Sequence, residues 1–235
     1  MARQTFAFLS FCAAWALLGA TAQAEDRFCA GSGFSDTPAL TIGRVKATET
    51  RVKFVRNGDE KNPSCPSAAA QCQDRAFLVP GDLVVMGGKL GDYICADYDS
   101  GKGDRGGWLP AAALEPAQLS TSPADWSGDW KRVEAEIKIA DKGGALTAEG
   151  NATFGALDPA RVKRGGVNLG EFSGPLLLQA GQATFAGKDL DPKKPDDFGC
   201  RIRMARAGDF LFVQDNMQCG GMNVSFSGLY RRAGR

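Results

Sequence analysis

There is no histidine in this chain of 235 residues. That absence removes Ser-His-Asp and Cys-His nucleophilic sites and every zinc hydrolase site built on imidazole. An enzyme would have to use a carboxylate pair, a Ser-Lys dyad, or a cysteine with another base. Acids occur along the whole chain, and no pattern places two of them together. A charge imbalance is also missing. Residues 1–24 hold one cation, Arg3, and no acid, so the remainder carries 27 Lys+Arg against 27 Asp+Glu. A neutral chain argues against nucleic acid and against tight binding to anionic lipid. Beyond the N-terminal stretch, no apolar run is long enough to cross a membrane. Gly87-Gly88-Lys89 lacks the spacing and the Ser/Thr of a phosphate loop. Asp189, Asp191, Asp196 and Asp197 have no EF-hand spacing and surround Lys193-Lys194, so they read as a solvated loop. No cofactor and no metal are expected.

The first 24 residues read as an address. Arg3 gives a positive start, Phe6 to Gly19 is apolar, and Ala22-Gln23-Ala24 is a small-x-small cleavage pattern. This is the pattern of a secretory signal peptide; the alternative is an uncleaved anchor. Bulky Phe11 before Cys12 argues against lipid attachment. The expected mature chain starts at Glu25 and is periplasmic or secreted, with no membrane contact after cleavage.

Six cysteines follow residue 24: Cys29, Cys65, Cys72, Cys95, Cys200 and Cys219. An even count in an exported chain reads as disulfides. No Cys-x-x-Cys and no histidine support a metal set. Cys65 and Cys72 fit a loop stapled to itself. Cys200 and Cys219 flank the hairpin around Ala207-Gly208-Asp209 and should pair across it. Cys29 is then the unassigned cysteine nearest Cys95, and Cys29–Cys95 is expected, although four cysteines allow three connectivities.

The chain divides at a Pro-bounded linker, residues 116–125, between an N-terminal domain at 25–115 and a second at 126–235. Arg51 to Arg56 alternates cation and apolar residue, as in a half-buried strand. Leu83-Val84-Val85 and Tyr93-Ile94-Cys95 should pair across the Gly87-to-Gly91 region. The second block reads as seven or eight short strands. Lys131 to Ile139 alternates as one strand, Asp141 to Gly144 is a hairpin turn, and Val224 to Tyr230 is the last strand. No window has a helical period. The expected fold is all-β: an N-terminal domain of strands and a C-terminal antiparallel meander or barrel, both stapled by disulfides.

In the first block, Gly81-Asp82 precedes one strand, Tyr93-Ile94-Cys95-Ala96-Asp97-Tyr98 forms an aromatic one, and Gly107-Trp108-Leu109-Pro110 ends the run. This order resembles a bacterial SH3-like (SH3b) domain. The resemblance implies an SH3-like barrel with a groove for extended peptide, and cell-wall peptide as its ligand. Tyr93, Tyr98 and Trp108 are then the candidate binding aromatics, unless the rings fill the core. Strand alternation puts Tyr93 and Cys95 on one face and Ile94 on the other.

In the second block, Gly128-Asp129-Trp130 opens the first strand, and Arg231-Arg232 follows the last. This resembles the calycin (lipocalin-like) arrangement, in which the Trp and Arg stack to close one end of a barrel. The ending Asp215-Asn216, Cys219-Gly220-Gly221, Asn223-Val224 and Phe226-x-Gly-x-Tyr230-Arg-Arg resembles exported proteobacterial proteins near lysozyme-inhibitor-like families. Here Asn216 and Asn223 are candidate contacts to a partner; the plainer reading of the glycines is a tight turn beside a disulfide. The leading function is non-catalytic recognition of cell-wall peptide. The alternatives are an inhibitor or immunity protein that seats on a secreted lysozyme or protease, and a carboxylate-based cell-wall hydrolase.

Overall fold

The computed structural model describes residues 28–29, 40–100, 104–187, 191 and 199–234. The expected signal peptide, and most of the charged 188–198 loop, lie outside the described residues. The fold is all-β with two antiparallel assemblies. Two short helices, α1 (Pro123–Trp126) and α2 (Pro159–Lys163), depart from the expectation of none. Each is a turn or so long, too short to leave a helical period, and α2 starts where Asp158 accepts from the backbone N–H groups of Ala160 and Arg161.

The first assembly contains β1 (Thr41–Val45), β2 (Val52–Val55), β3 (Gln73–Leu78), β4 (Leu83–Leu90), β5 (Tyr93–Asp99), β6 (Asp104–Pro110) and β7 (Leu114–Pro116). Their spatial order is β3-β2-β6-β5-β4-β1-β7. One apolar face curls around a single core, to which each strand contributes: Val45, Phe54, Leu78, Val84, Ala96, Leu109 and Leu114. Among the described residues the strand order stays open at β3 and β7, so the ladder forms an antiparallel sheet and not the expected barrel. The hairpin joining β4 and β5 also differs from expectation. The strands run to Leu90 and Tyr93 and turn at Gly91-Asp92, while Gly87-Gly88 form a bulge between Met86 and Lys89. Glycines without side chains to pack mark a bulge as readily as a turn.

The opposite face of β2, β5 and β6 carries a second apolar layer. Here Trp108 and Val55 pack with Cys29, Cys65 and Cys72, flanked by Tyr93 and Cys95. The disulfides are Cys29–Cys95, Cys65–Cys72 and Cys200–Cys219, the expected pairs. Asn57 seats the N-terminal segment as a strand neighbour would: its amide oxygen accepts from Cys29 N at 2.7 Å and its amide nitrogen donates to Cys29 O at 3.2 Å.

The second assembly is a closed eight-stranded barrel. It consists of β8 (Gly128–Arg132), β9 (Ala135–Lys142), β10 (Ala145–Phe154), β11 (Asn168–Gln179), β12 (Gln182–Ala186), β13 (Arg201–Ala207), β14 (Phe210–Asp215) and β15 (Gly228–Arg232), with β15 pairing back to β8. Inward residues fill its interior, among them Trp130, Ile137, Phe172, Phe185, Met204 and Phe226. Phe172 packs on both Phe185 and Phe226 at 4.9 Å between centroids.

Two expected strands are redrawn. Lys131 to Ile139 is a hairpin rather than one strand, because Glu134 adopts φ 57 and reverses the chain. No Gly or Asn announces this turn. It is held from outside: Glu134 O accepts from Thr153 N, and the Glu134 carboxylate accepts from Ala156 N at 2.6 Å. The last strand starts at Gly228, not Val224, because Asp215 captures the preceding backbone. Its carboxylate accepts from the Ser225 and Ser227 hydroxyls and from Phe226 N. Arg231 and Arg232 therefore lie within β15.

The expected linker is packed. Ala117 N donates to Ile42 O, Ser120 N donates to Arg206 O, and Trp126 Nε1 donates to Ser120 O at 3.0 Å. The two assemblies also share an apolar contact. Leu40, Ile42 and Val85 of the first meet Ala205, Ala207, Phe212 and Leu229 on the outer wall of the barrel. Gln182 Nε2 donates to Leu40 O across this contact at 2.9 Å.

Candidate functional site

The three candidate aromatics do not converge on one groove. Trp108 is 3% exposed and sits under the two disulfides of the first assembly, so it is a core ring and not a binding ring. Tyr93 and Tyr98 are both half-buried, but an odd separation along β5 puts them on opposite faces. Tyr93 lies against the disulfide layer, and Tyr98 packs beside the main core. The Cys29–Cys95 bond explains the outcome: it fixes the Cys95 face inward, and Trp108, directly opposite Cys95 in the ladder, goes with it.

The candidate asparagines also work for the fold or stand apart from each other. Asn216 accepts from Arg201 N at 3.0 Å and donates to Gly199 O at 2.8 Å, so its amide is spent on bracing the start of β13. Asn223 is exposed, with φ 66. Their loop lies against β11 through glycines. A Cβ on Gly220 would stand 2.6 Å from the Gly170 Cα, which makes glycine the only residue that permits this approach.

Trp130 and Arg232 do stack. The Arg232 guanidinium lies 4.6 Å from the Trp130 ring and donates to Ser127 O and Asp125 O. Arg206 lies over the same ring at 5.8 Å. Trp130 Nε1 donates to Trp126 O at 3.0 Å, so the buried indole is satisfied. The cluster closes this end of the barrel with side chains already committed to one another.

Beside this closed end, the first assembly, the connecting segment and the barrel enclose a cleft of about 750 Å³. Arg44 and Leu83 come from the first assembly, Leu119 and Ser120 from the connection, and Phe210 and Arg231 from the barrel. Their placement follows from strand alternation. Tyr230 faces the barrel core, so Arg231 faces out. Phe210, paired with Arg231 in the ladder, faces out beside it, and the guanidinium lies 4.7 Å from the Phe210 ring. Arg44 makes an exposed ion pair with Glu115 at 3.0 Å. Asp125 is 3.7 Å from Arg206, and Asp209 also lines the wall. Tyr98 stands near the cleft. Burial, then the Asp82 carboxylate, push its hydroxyl above the ordinary value of 10.0, while Arg231 pulls it back.

A different region carries the carboxylates. Asp99 and Asp104 face each other where β5 meets β6. Burial, then the Asp99 charge, push the Asp104 carboxyl up, and Arg132 of the barrel offsets this. At the barrel end remote from the cleft, Leu157, Leu169 and Met222 are large, apolar and strongly exposed. Asn168 Nδ2 donates to Met222 O, and Gly221 N donates to Leu169 O, so these loops hold one another.

The cleft residues were not legible as a site. Arg231 stood out only as a stacking candidate, and Leu119 and Ser120 only as linker. Their meeting depends on how the two assemblies dock, which no local pattern encodes. Comparison with known proteins finds no matching family model, no matching curated protein and no matching solved structure.

Proposed function

We propose that this protein is a non-catalytic binding protein of the cell envelope that holds cell-wall peptide in the cleft between its two β assemblies. The observation that carries the reading is the cleft itself. Its volume falls in the range of small-ligand sites, and junctions between domains are where such sites concentrate. Apolar Leu83, Leu119 and Phe210 can take side chains, while the hydroxyls of Ser120, Thr121 and Ser122 and two guanidinium groups can take main-chain and carboxylate oxygens. Three disulfides suit a chain that works in an oxidising compartment. The reading keeps the ligand that the SH3-like resemblance implies and moves it from the aromatic groove to the cleft.

The test is co-sedimentation of the oxidised mature protein with purified sacculi, with soluble fragments assayed in the supernatant. Sedimentation without released fragments, reduced by Leu83→Arg in a protein that still folds, is the expected result. Release of fragments would replace binding with hydrolysis. Failure to sediment would remove the wall ligand.

The remote end of the barrel favours a second reading, that of an inhibitor of a secreted hydrolase. Exposed Leu157, Leu169 and Met222 stand on mutually braced loops, the kind of surface that seats in a partner's cleft without reorganising. A panel of purified lysozymes and secreted proteases would test it. A one-to-one complex that Met222→Asp abolishes would support inhibition, and an unaffected panel would leave the wall reading alone.

A further inference from the structure

We infer that the cleft selects ligands by a free carboxylate, with Arg231 as the anchor. The inference rests on the cleft reading above and adds the chemical group recognised. The argument begins with how the cations of this region are used. Arg206 and Arg232 are engaged within the fold: they cover Trp130, and their terminal nitrogens reach Ser120 Oγ, Ser127 O and Asp125 O. Arg44 faces Glu115 in a pair whose side chains are 48% and 40% exposed, so water screens it and an incoming anion can compete.

Arg231 is different. It is exposed, it lines the cleft, and among the described residues no carboxylate lies within ion-pair distance of it. The Phe210 ring lies 4.7 Å from its guanidinium carbon, and the Arg231 charge also reaches the Tyr98 hydroxyl. A ring contact of this kind fixes a guanidinium without using its N–H groups, which radiate in the guanidinium plane. A planar fork held in place with its donors unspent matches a carboxylate in charge, spacing and geometry. Docking of the first assembly puts Arg44 on the same cleft, which supplies a second cation from the other side of the junction. Asp125 and Asp209 line the cleft too, and Asp125 has Arg206 beside it at 3.7 Å. The wall thus presents both signs, with a free cationic fork at Arg231, and it suits a peptide that carries a carboxylate together with amide and amine groups.

The experiment is calorimetric titration of the oxidised mature protein with two synthetic probes. One is a wall stem peptide with free carboxylates, and the other is the same peptide with every carboxylate amidated. The free acid is expected to bind about tenfold tighter or more, as loss of a charge-assisted pair implies. Arg231→Ala should erase that difference, Arg231→Lys should restore part of it, and Arg44→Ala should reduce it less. Thermal melts confirm that the variants fold. Equal affinity for the two probes would overturn carboxylate selection while leaving the cleft reading standing. A preference for the acid that survives Arg231→Ala would place recognition at another group and overturn the anchor. No heat with either probe, in a protein that also fails to bind sacculi, would sink both the reading and the inference.

Discussion

In the barrel every strand has a hydrogen-bonded neighbour on each side, whereas the first sheet ends at β3 and β7. The barrel fills one interior with large rings, and its disulfide joins that core through Cys219, with Cys200 packed against it. The first sheet divides its apolar residues between two layers, and the second of these is built around two disulfides and Trp108. Closure lets the barrel gather most of its apolar side chains into one core, to which the crosslink adds a single bond. The open sheet, with fewer residues to bury, relies on crosslinks to hold its outer layer, as small β domains commonly do. The same contrast explains why one candidate binding aromatic, Trp108, is unavailable: its ring lies in the layer that the crosslinks close.

The largest expected effect tests that last point. Trp108→Ala should cost about 3–5 kcal/mol, the range for emptying a buried Trp site. The loss should appear as unfolding of the first sheet, read by hydrogen exchange of β2, β5 and β6, with barrel amides still protected. A folded Trp108→Ala protein with near-native stability would return the ring to the surface and break the comparison.

Removing the crosslink comes next. Cys29–Cys95 spans a sequence separation of 66 and Cys65–Cys72 only 7. In the chain-entropy account the long loop is worth up to about 4 kcal/mol and the short one about 2.5 kcal/mol. The Cys29→Ser/Cys95→Ser protein should therefore melt in two transitions, with the sheet first. A single transition at an unchanged temperature would mean that the apolar contact at Ile42, Val85, Phe212 and Leu229 lends the sheet the stability here assigned to the disulfide.

Gly220→Ala probes the barrel's own tight spot at about 1–3 kcal/mol, the usual range for overpacking. The new Cβ would meet backbone at Gly170, where no side-chain end can swing aside. The expected signature is a lowered barrel transition with the first sheet unchanged. No shift would show that the loop lifts off β11 without cost.

These contrasts also mark what could be read in advance. Alternation and turn chemistry place most strands, and the cysteine spacing points to Cys65–Cys72 and Cys200–Cys219, with Cys29–Cys95 one of three connectivities until the structure settles it. Two of the failures share one cause, a local pattern overridden by a partner distant in sequence. Glu134 turns the chain because Thr153 and Ala156, about twenty residues on, hold it there. Val224 to Ser227 leaves the strand because Asp215 offers better partners than a ladder does. Tyr93 and Tyr98 were grouped by type, although the odd spacing between them already separates their faces. The cleft lay furthest from view. Arg44 and Arg231 are nearly two hundred residues apart, and only the docking of Ile42 and Val85 on the barrel wall brings them to one space.

The smallest effect should separate the two assemblies by pH. In the first sheet, burial works against ionisation of Asp74, but the Ala76 N–H and Arg105 outweigh it and hold the carboxyl below its ordinary 3.8. A depressed carboxyl stabilises the fold above its unfolded value, and that contribution fades as pH falls toward the folded one. Asp104 has the opposite sign, since its raised carboxyl favours the fold more when protonated, and it blunts the acid loss. In the barrel, burial pushes the Tyr230 hydroxyl far above its ordinary 10.0, with Arg132 opposing, while the hydroxyl donates to Phe226 O at 2.8 Å. A raised phenol stabilises the fold below its unfolded value and loses that contribution as pH rises past 10. Acid should therefore loosen the sheet first and alkali the barrel first, followed by hydrogen exchange at the two extremes. Asp74→Asn should flatten the acid arm and Tyr230→Phe the alkaline one. If both assemblies loosened together at each extreme, the shared apolar contact, rather than either ionisation, would be setting the stability of the whole molecule.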